Sequence, residues 1–213
     1  MNKQVILVVI LVALIPFSVL ALLRMAWAIL TNPERAWSIP VFLTEPQGLK
    51  MTYDEARHQI RTGDVIGVRG RKGPLAWLTR LVTWSPYTHV GIALWVGGGL
   101  YLAEINGGGN HLIPMSQIAH TGFDVVRCPA HPADVPYAIE TQLHDHQGYG
   151  FGTLVTIAAR RVFGVELAGD GAVCSSYAAT ILTLAGWGHS LPNAPAPDEV
   201  MEASGKVVLE VRL

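Results

Sequence analysis

Three residues of this chain have types that can be combined into acyl-transfer chemistry: Cys174, His89 and Glu104. Cys174 follows the turn residues Asp170 and Gly171 and opens an apolar run in which Tyr177, Ala178, Ile181, Leu182 and Ala185 recur at helical spacing. A thiol in the first turn of a helix faces unpaired backbone N–H groups and the positive end of the helix dipole, which favour thiolate. The same N–H groups suit an oxyanion forming beside the sulfur. The other reading of Cys174 is a small core residue opening a buried helix. His89 stands in the strand-like Tyr87–Val96 and Glu104 in the strand-like Leu100–Ile105. An imidazole takes a proton from a thiol, and a third polar group orients the imidazole. On paired strands Glu104 reaches His89, which offsets the cost of a carboxylate in an apolar strand. Taken singly, each also has a structural reading, His89 as a satisfied strand histidine and Glu104 as an outward-facing acid.

The elements that must position these residues read as follows. Thr52 caps a short helix over Tyr53–Ile60, and Arg61-Thr-Gly-Asp64 turns the chain into a strand over Val65–Arg69. Pro74–Trp84 has an amphipathic helical pattern with Leu75, Leu78, Leu81 and Val82 on one face, ended by Ser85-Pro86. Gly97-Gly-Gly99 joins the His89 and Glu104 strands as an antiparallel hairpin. Asn106–Gly109 is a further turn, and 111–118 leads to a strand around Val125. Helices are expected over Pro136–His144 and Thr153–Phe163, a loop over Leu191–Pro197, and a closing strand over Val207–Leu213.

The chain has 213 residues, 50% hydrophobic and 15% charged, with a formal charge of −1. That length allows one sizeable core plus an appendage, and the charge advertises no nucleic-acid surface. Val5–Leu23 carries no charge and approaches the ~20 apolar residues that cross a bilayer. It is longer than the ~7–15 residues of a signal-peptide core, so residues 1–30 are expected to be a single-pass membrane anchor, of undetermined orientation. Residues 31–49, with Pro33, Pro40, Pro46 and Gly48, read as a linker, and 50–213 as the catalytic domain. Cys128, with Cys174 the second of two cysteines, reads as structural, and a bridge between them would abolish the chemistry of Cys174.

At this point the sequence resembles a family. Arg61-Thr-Gly-Asp64, Thr88-His89-Val-Gly-Ile, Tyr101-Leu-Ala-Glu104, Gly148-Tyr-Gly-Phe and Val173-Cys174-Ser-Ser-Tyr are similar to elements of the NlpC/p60-type papain-like superfamily. The order histidine, acid, cysteine matches its circularly permuted branch, the YiiX/YebB-like proteins and their lecithin:retinol acyltransferase relatives. The resemblance covers about residues 50–190. It implies an α+β fold with an antiparallel sheet and packed helices, Cys174 as nucleophile, His89 as general base and Glu104 as the orienting acid. Ser176 stands where the permuted group often has an acid, Ile105 where a small residue is common, and His111 and Asn110 are alternative orienting groups. The resemblance further implies a cysteine hydrolase acting on peptide-type amides, as in cell-wall peptides, or on lipid acyl groups. A silent binding or assembly module of the same fold is the alternative from another class. No metal or organic cofactor is expected. His144 and His146 lack a third nearby ligand for zinc, and Gly107–Gly109 lacks the trailing Lys-Ser/Thr of a phosphate loop. His58, His120, His131, His144, His146 and His189 are expected in solvent.

Overall fold

The structure, a computed structural model, describes residues 48–70, 83, 85–145, 148–163 and 171–212. All lie in the unit Glu45–Leu213. The expected anchor, nearly all of the linker and most of the expected helix over Pro74–Trp84 fall outside the described residues.

Seven strands form one sheet: β1 (Leu49–Met51), β2 (Val65–Val68), β3 (His89–Val96), β4 (Gly99–Asn106), β5 (Gly109–Pro114), β6 (Phe123–Val126) and β7 (Val207–Val211). Their order is β1-β7-β6-β2-β3-β4-β5. Helices α1 (Tyr53–Arg57), α2 (Val135–His144), α3 (Phe151–Phe163), α4 (Cys174–Leu184) and α5 (Pro197–Ser204) complete the described elements, with short 3-10 turns at Met115–Gln117 and Ala119–Thr121. The class is α+β. The sheet is mixed rather than antiparallel, because β1 runs parallel to β7 while every other pairing is antiparallel.

Alternation along the strands buries both faces of the sheet. Val65, Ile92, Ala103, Ile105 and Val126 pack with Val135 and Ile139 of α2, Tyr177, Ile181 and Leu182 of α4, and Val200 and Met201 of α5. Ile66, Ala93, Leu102, Phe123, Val125 and Leu209 pack with Ala56 of α1, Ile60, Met115 and Ile118. Large apolar side chains buried in this way each contribute about 1.5–3 kcal/mol, so the first cluster fixes α4 against the sheet.

Three polar clusters join elements distant in the chain. Asp64 accepts the N–H of Arg61 at 2.8 Å, Arg127 Nη1 at 2.7 Å and the N–H of Cys128 at 3.2 Å, tying the start of β2 to the end of β6. This gives the Arg61-Thr-Gly-Asp64 turn its structural role. Asp124 accepts from Arg69 Nε at 2.7 Å, Tyr87 Oη at 2.8 Å and Arg212 Nη2 at 3.0 Å. Arg160 and Arg161 of α3 pair with Glu199 and Asp198 of α5 at 2.9 and 2.7 Å.

Candidate active site

α4 begins at Cys174, where the sequence places it, and the reason is local. Gly171 has φ +73°, a left-handed conformation that favours glycine, and a Cβ there would lie 2.7 Å from the carbonyl oxygen of Gly148. This close approach lets Tyr149 bridge in parallel to Ala172, with the Gly150 N–H donating to Ala172 O at 2.9 Å. Thr153 Oγ1 donates to Gly171 O at 2.9 Å. The Gly148-Tyr-Gly150 element thus anchors the backbone just ahead of the cysteine. Val173 is extended (φ −112°, ψ 167°) and caps the helix. Its N–H donates to Ser176 Oγ at 2.9 Å, so Ser176 performs the reach-back that a longer side chain at the third helical position makes in a capping box. Ser175 Oγ donates to Pro195 O at 2.5 Å, hooking the helix start to the loop before α5.

His89 is set by the turn into β3. Thr88 donates to Val68 O through its N–H at 2.8 Å and through Oγ1 at 3.1 Å. Pairing of β3 with β4 runs from Val96↔Gly99 to Ile92↔Ala103 and goes no further toward His89. Two residues after His89, a Cβ on Gly91 would come 2.7 Å from Ala103 O and 2.8 Å from Leu102 Cδ1. Gly91 therefore lets the β4 backbone pass close to β3 just where Glu104 must reach back to the histidine.

The structure brings the three expected residues together. His89 Nε2 lies 2.7 Å from Glu104 Oε2, with Glu104 fully buried. The N–H direction departs from the line to the oxygen, so this is a close ion-pair contact rather than a straight hydrogen bond. His89 also hydrogen-bonds Cys174, and the N–H of Val90 donates to the same sulfur. Burial alone would lower the His89 pKa, but the neighbouring Cys174 sulfur and Glu104 outweigh it and raise it to about 9. Burial alone would raise the Cys174 pKa, but the charge and hydrogen bond of His89 and the Val90 N–H together hold it below the usual thiol range. No acid stands in the first turn of α4 to oppose the positive helix end, while Glu104, beyond His89, acts the other way and raises the thiol pKa. Both shifts run toward the charged forms of the pair.

Glu104 has further partners. Its Oε1 lies 3.1 Å from His111 Nε2 and 3.2 Å from Asn106 Nδ2. His111 enters alongside Glu104, on the carboxylate oxygen that His89 does not use. Asn106 carries no signal that single-sequence reading uses. Asn110 instead ties β5 to α2, donating to Gln142 O and Asp145 O, both at 2.7 Å. His58, His120, His131, His144 and His189 are exposed, and His146 is outside the described residues. Both cysteines are free, with Cys128 half-buried and its thiol pushed up by burial. Among the described residues no group of three His, Cys, Asp or Glu is arranged to hold a metal ion.

No protein-family model matches the chain. No curated protein matches it either. Among solved structures the chain is similar to the crystal structure of metalloprotein yiiX from Escherichia coli O157:H7, DUF1105, at 18% identity. The match covers 72% of this chain and 97% of that one, with a TM-score of 0.44. The word metalloprotein describes that protein.

Proposed function

We propose that residues 50–213 form a cysteine-dependent acyl hydrolase. The observation that supports it most is the chain of contacts from Cys174 to His89 to the buried Glu104, at the N-terminus of α4. In this reading the Cys174 thiolate attacks the carbonyl carbon of an amide or ester, and a C–S bond forms as the carbonyl becomes an oxyanion. Backbone N–H groups at the start of α4 hold the oxyanion. The C–N or C–O bond then breaks, and the imidazolium of His89 gives its proton to the leaving group. Water, deprotonated by the now neutral His89, attacks the thioester and releases the acid and the thiolate. Glu104 orients His89 throughout and favours its charged form before the attack and after the thioester is hydrolysed.

The chemistry suits peptide-type amides, cell-wall peptides among them, and lipid acyl esters alike. The apolar run Val5–Leu23 supports attachment to a membrane, which carbonate extraction of membranes from cells making the full chain tests: the protein stays in the pellet if residues 1–30 span the bilayer. The enzymatic reading is tested by incubating the full chain with a panel of murein peptides and phospholipids. Product release that is lost in both Cys174→Ala and His89→Ala supports it. Release that survives either substitution refutes it.

A further inference from the structure

His111 stands between a carbonyl and a carboxylate, and its contacts are compatible with two protonation states that use different partners. Nδ1 is 2.8 Å from Gly109 O, an acceptor only, so Nδ1 carries a proton in both states. Nε2 is 3.0 Å from Asn106 Nδ2 and 3.1 Å from Glu104 Oε1. The orientation of the Asn106 amide is fixed, because its Oδ1 accepts the Gly108 N–H at 2.8 Å and so its NH2 faces the imidazole and the carboxylate. A neutral His111 accepts from Asn106 and gives nothing to Glu104. A charged His111 donates to Glu104 Oε1 and displaces the Asn106 donor from the ring.

We propose that His111 is a positioning residue whose protonation withdraws Glu104 from His89. The proposal rests on the cysteine-hydrolase reading of the same site. One buried carboxylate then faces two imidazoles, and a second positive charge on its far oxygen disfavours imidazolium at His89. The imidazolium at His89 is nearer to His111 than the sulfur is along this chain of contacts, so a charged His111 disfavours the thiolate–imidazolium pair as a whole. His111 is the accessible end of the chain, its side chain 32% exposed where those of His89 and Glu104 are 7% and 0%. The other titratable groups at this edge are His144 and Asp145 at the end of α2, joined to β5 through Asn110. Falling pH therefore quenches the thiolate through one proton taken up at His111, on which the proton of His89 passes to Cys174 within the pair. The two-residue turn Gly107-Gly108 makes the arrangement possible, because it sets Glu104 directly opposite His111.

The test is the pH dependence of thiolate absorbance at about 240 nm in the full chain, with the Cys174→Ala protein as the blank. The wild-type acid limb is expected to follow a single protonation, that of His111. His111→Gln keeps a donor near Glu104 but takes up no proton, so its limb moves down by about one pH unit. Asn106→Ala removes the donor that favours neutral His111, so its limb moves up. A merely structural role would move both variants in the same direction, and that result, or an unchanged limb in both, overturns the proposal. Failure of the underlying reading looks different: wild type then shows no Cys174 thiolate below the ordinary thiol range. Should His111→Gln not fold, the side-chain nitrogen shifts of wild-type His111 decide. Protonation at Nε2 in step with thiolate loss supports the proposal, and protonation independent of it refutes it.

Discussion

Replacing Glu104 by glutamine keeps the size of the side chain and removes its charge from a site with no solvent exposure. The carboxylate lies 2.7 Å from His89 Nε2. Unit charges about 4 Å apart interact by about 4 kcal/mol at an effective dielectric constant near 20. The amide dipole recovers part of this, leaving a loss of roughly 2–3 kcal/mol. Each pH unit of displacement is worth about 1.4 kcal/mol, so the titration of His89 moves from about 9 to near 7. The sign follows from which form Glu104 favours: a neighbouring anion favours imidazolium, so its removal lets the proton leave at lower pH. Cys174 is pulled both ways, losing a nearby anion that raises its pKa and part of the imidazolium that lowers it, so His89 is the group to follow. The assay is a side-chain NMR titration of His89 in wild type and Glu104→Gln. A His89 signal that still titrates near 9 in the variant would show that Glu104 does not raise it. A wild-type signal near the ordinary histidine value would refute the ion pair itself.

Other consequences can be checked separately. Gly91→Ala puts a Cβ 2.7 Å from Ala103 O, which should cost about 1–3 kcal/mol in a urea titration and weaken Cys174 ionisation as β4 is pushed away. Asp124→Ala leaves Arg69, Arg212 and Tyr87 without a shared acceptor and should destabilise the fold by about 3 kcal/mol, leaving the His89 titration unchanged. Ser176→Ala removes the acceptor of the Val173 N–H and should lower stability by about 1 kcal/mol, read as a fall in the thermal midpoint. Hydrolysis should fall on the alkaline side as His89 loses its proton near pH 9. An alkaline limb unchanged in Glu104→Gln would assign that limb to another group.

Much of the placement of the site was legible because its signals are local. A turn residue, a cysteine and helical spacing mark the start of α4, and glycines mark the β3–β4 hairpin. Other elements depend on partners far away in the chain. β5 was read only as a lead-in, because all six of its residues are half-buried at a sheet edge and show no alternation. The closing strand over Val207–Leu213 is present as β7, but its place between β1 and β6 is set by strands more than 80 residues away. The three-residue β1 has no periodicity of its own, and its parallel pairing is what makes the sheet mixed. The expected loop over Leu191–Pro197 ends where α5 begins, and Pro197 in the first turn followed by Asp198 and Glu199 is the helix-start signal there. α1 stops at Arg57, short of Ile60. The placement of His111 beside Glu104 follows from turn length, since a two-residue turn at Gly107-Gly108 fixes the register of β4 on β5.

The central claim is that Cys174 is a thiolate held by His89. Because Cys174 is only 4% exposed, alkylation rates mix access with ionisation, whereas thiolate absorbance reports ionisation alone. The decisive measurement is therefore absorbance at about 240 nm from pH 5 to 9 in wild type, Cys174→Ala and His89→Ala. The account predicts a thiolate signal well below the ordinary thiol range that vanishes in both variants. A signal that appears only in the ordinary range, or that persists without Cys174 or without His89, contradicts it.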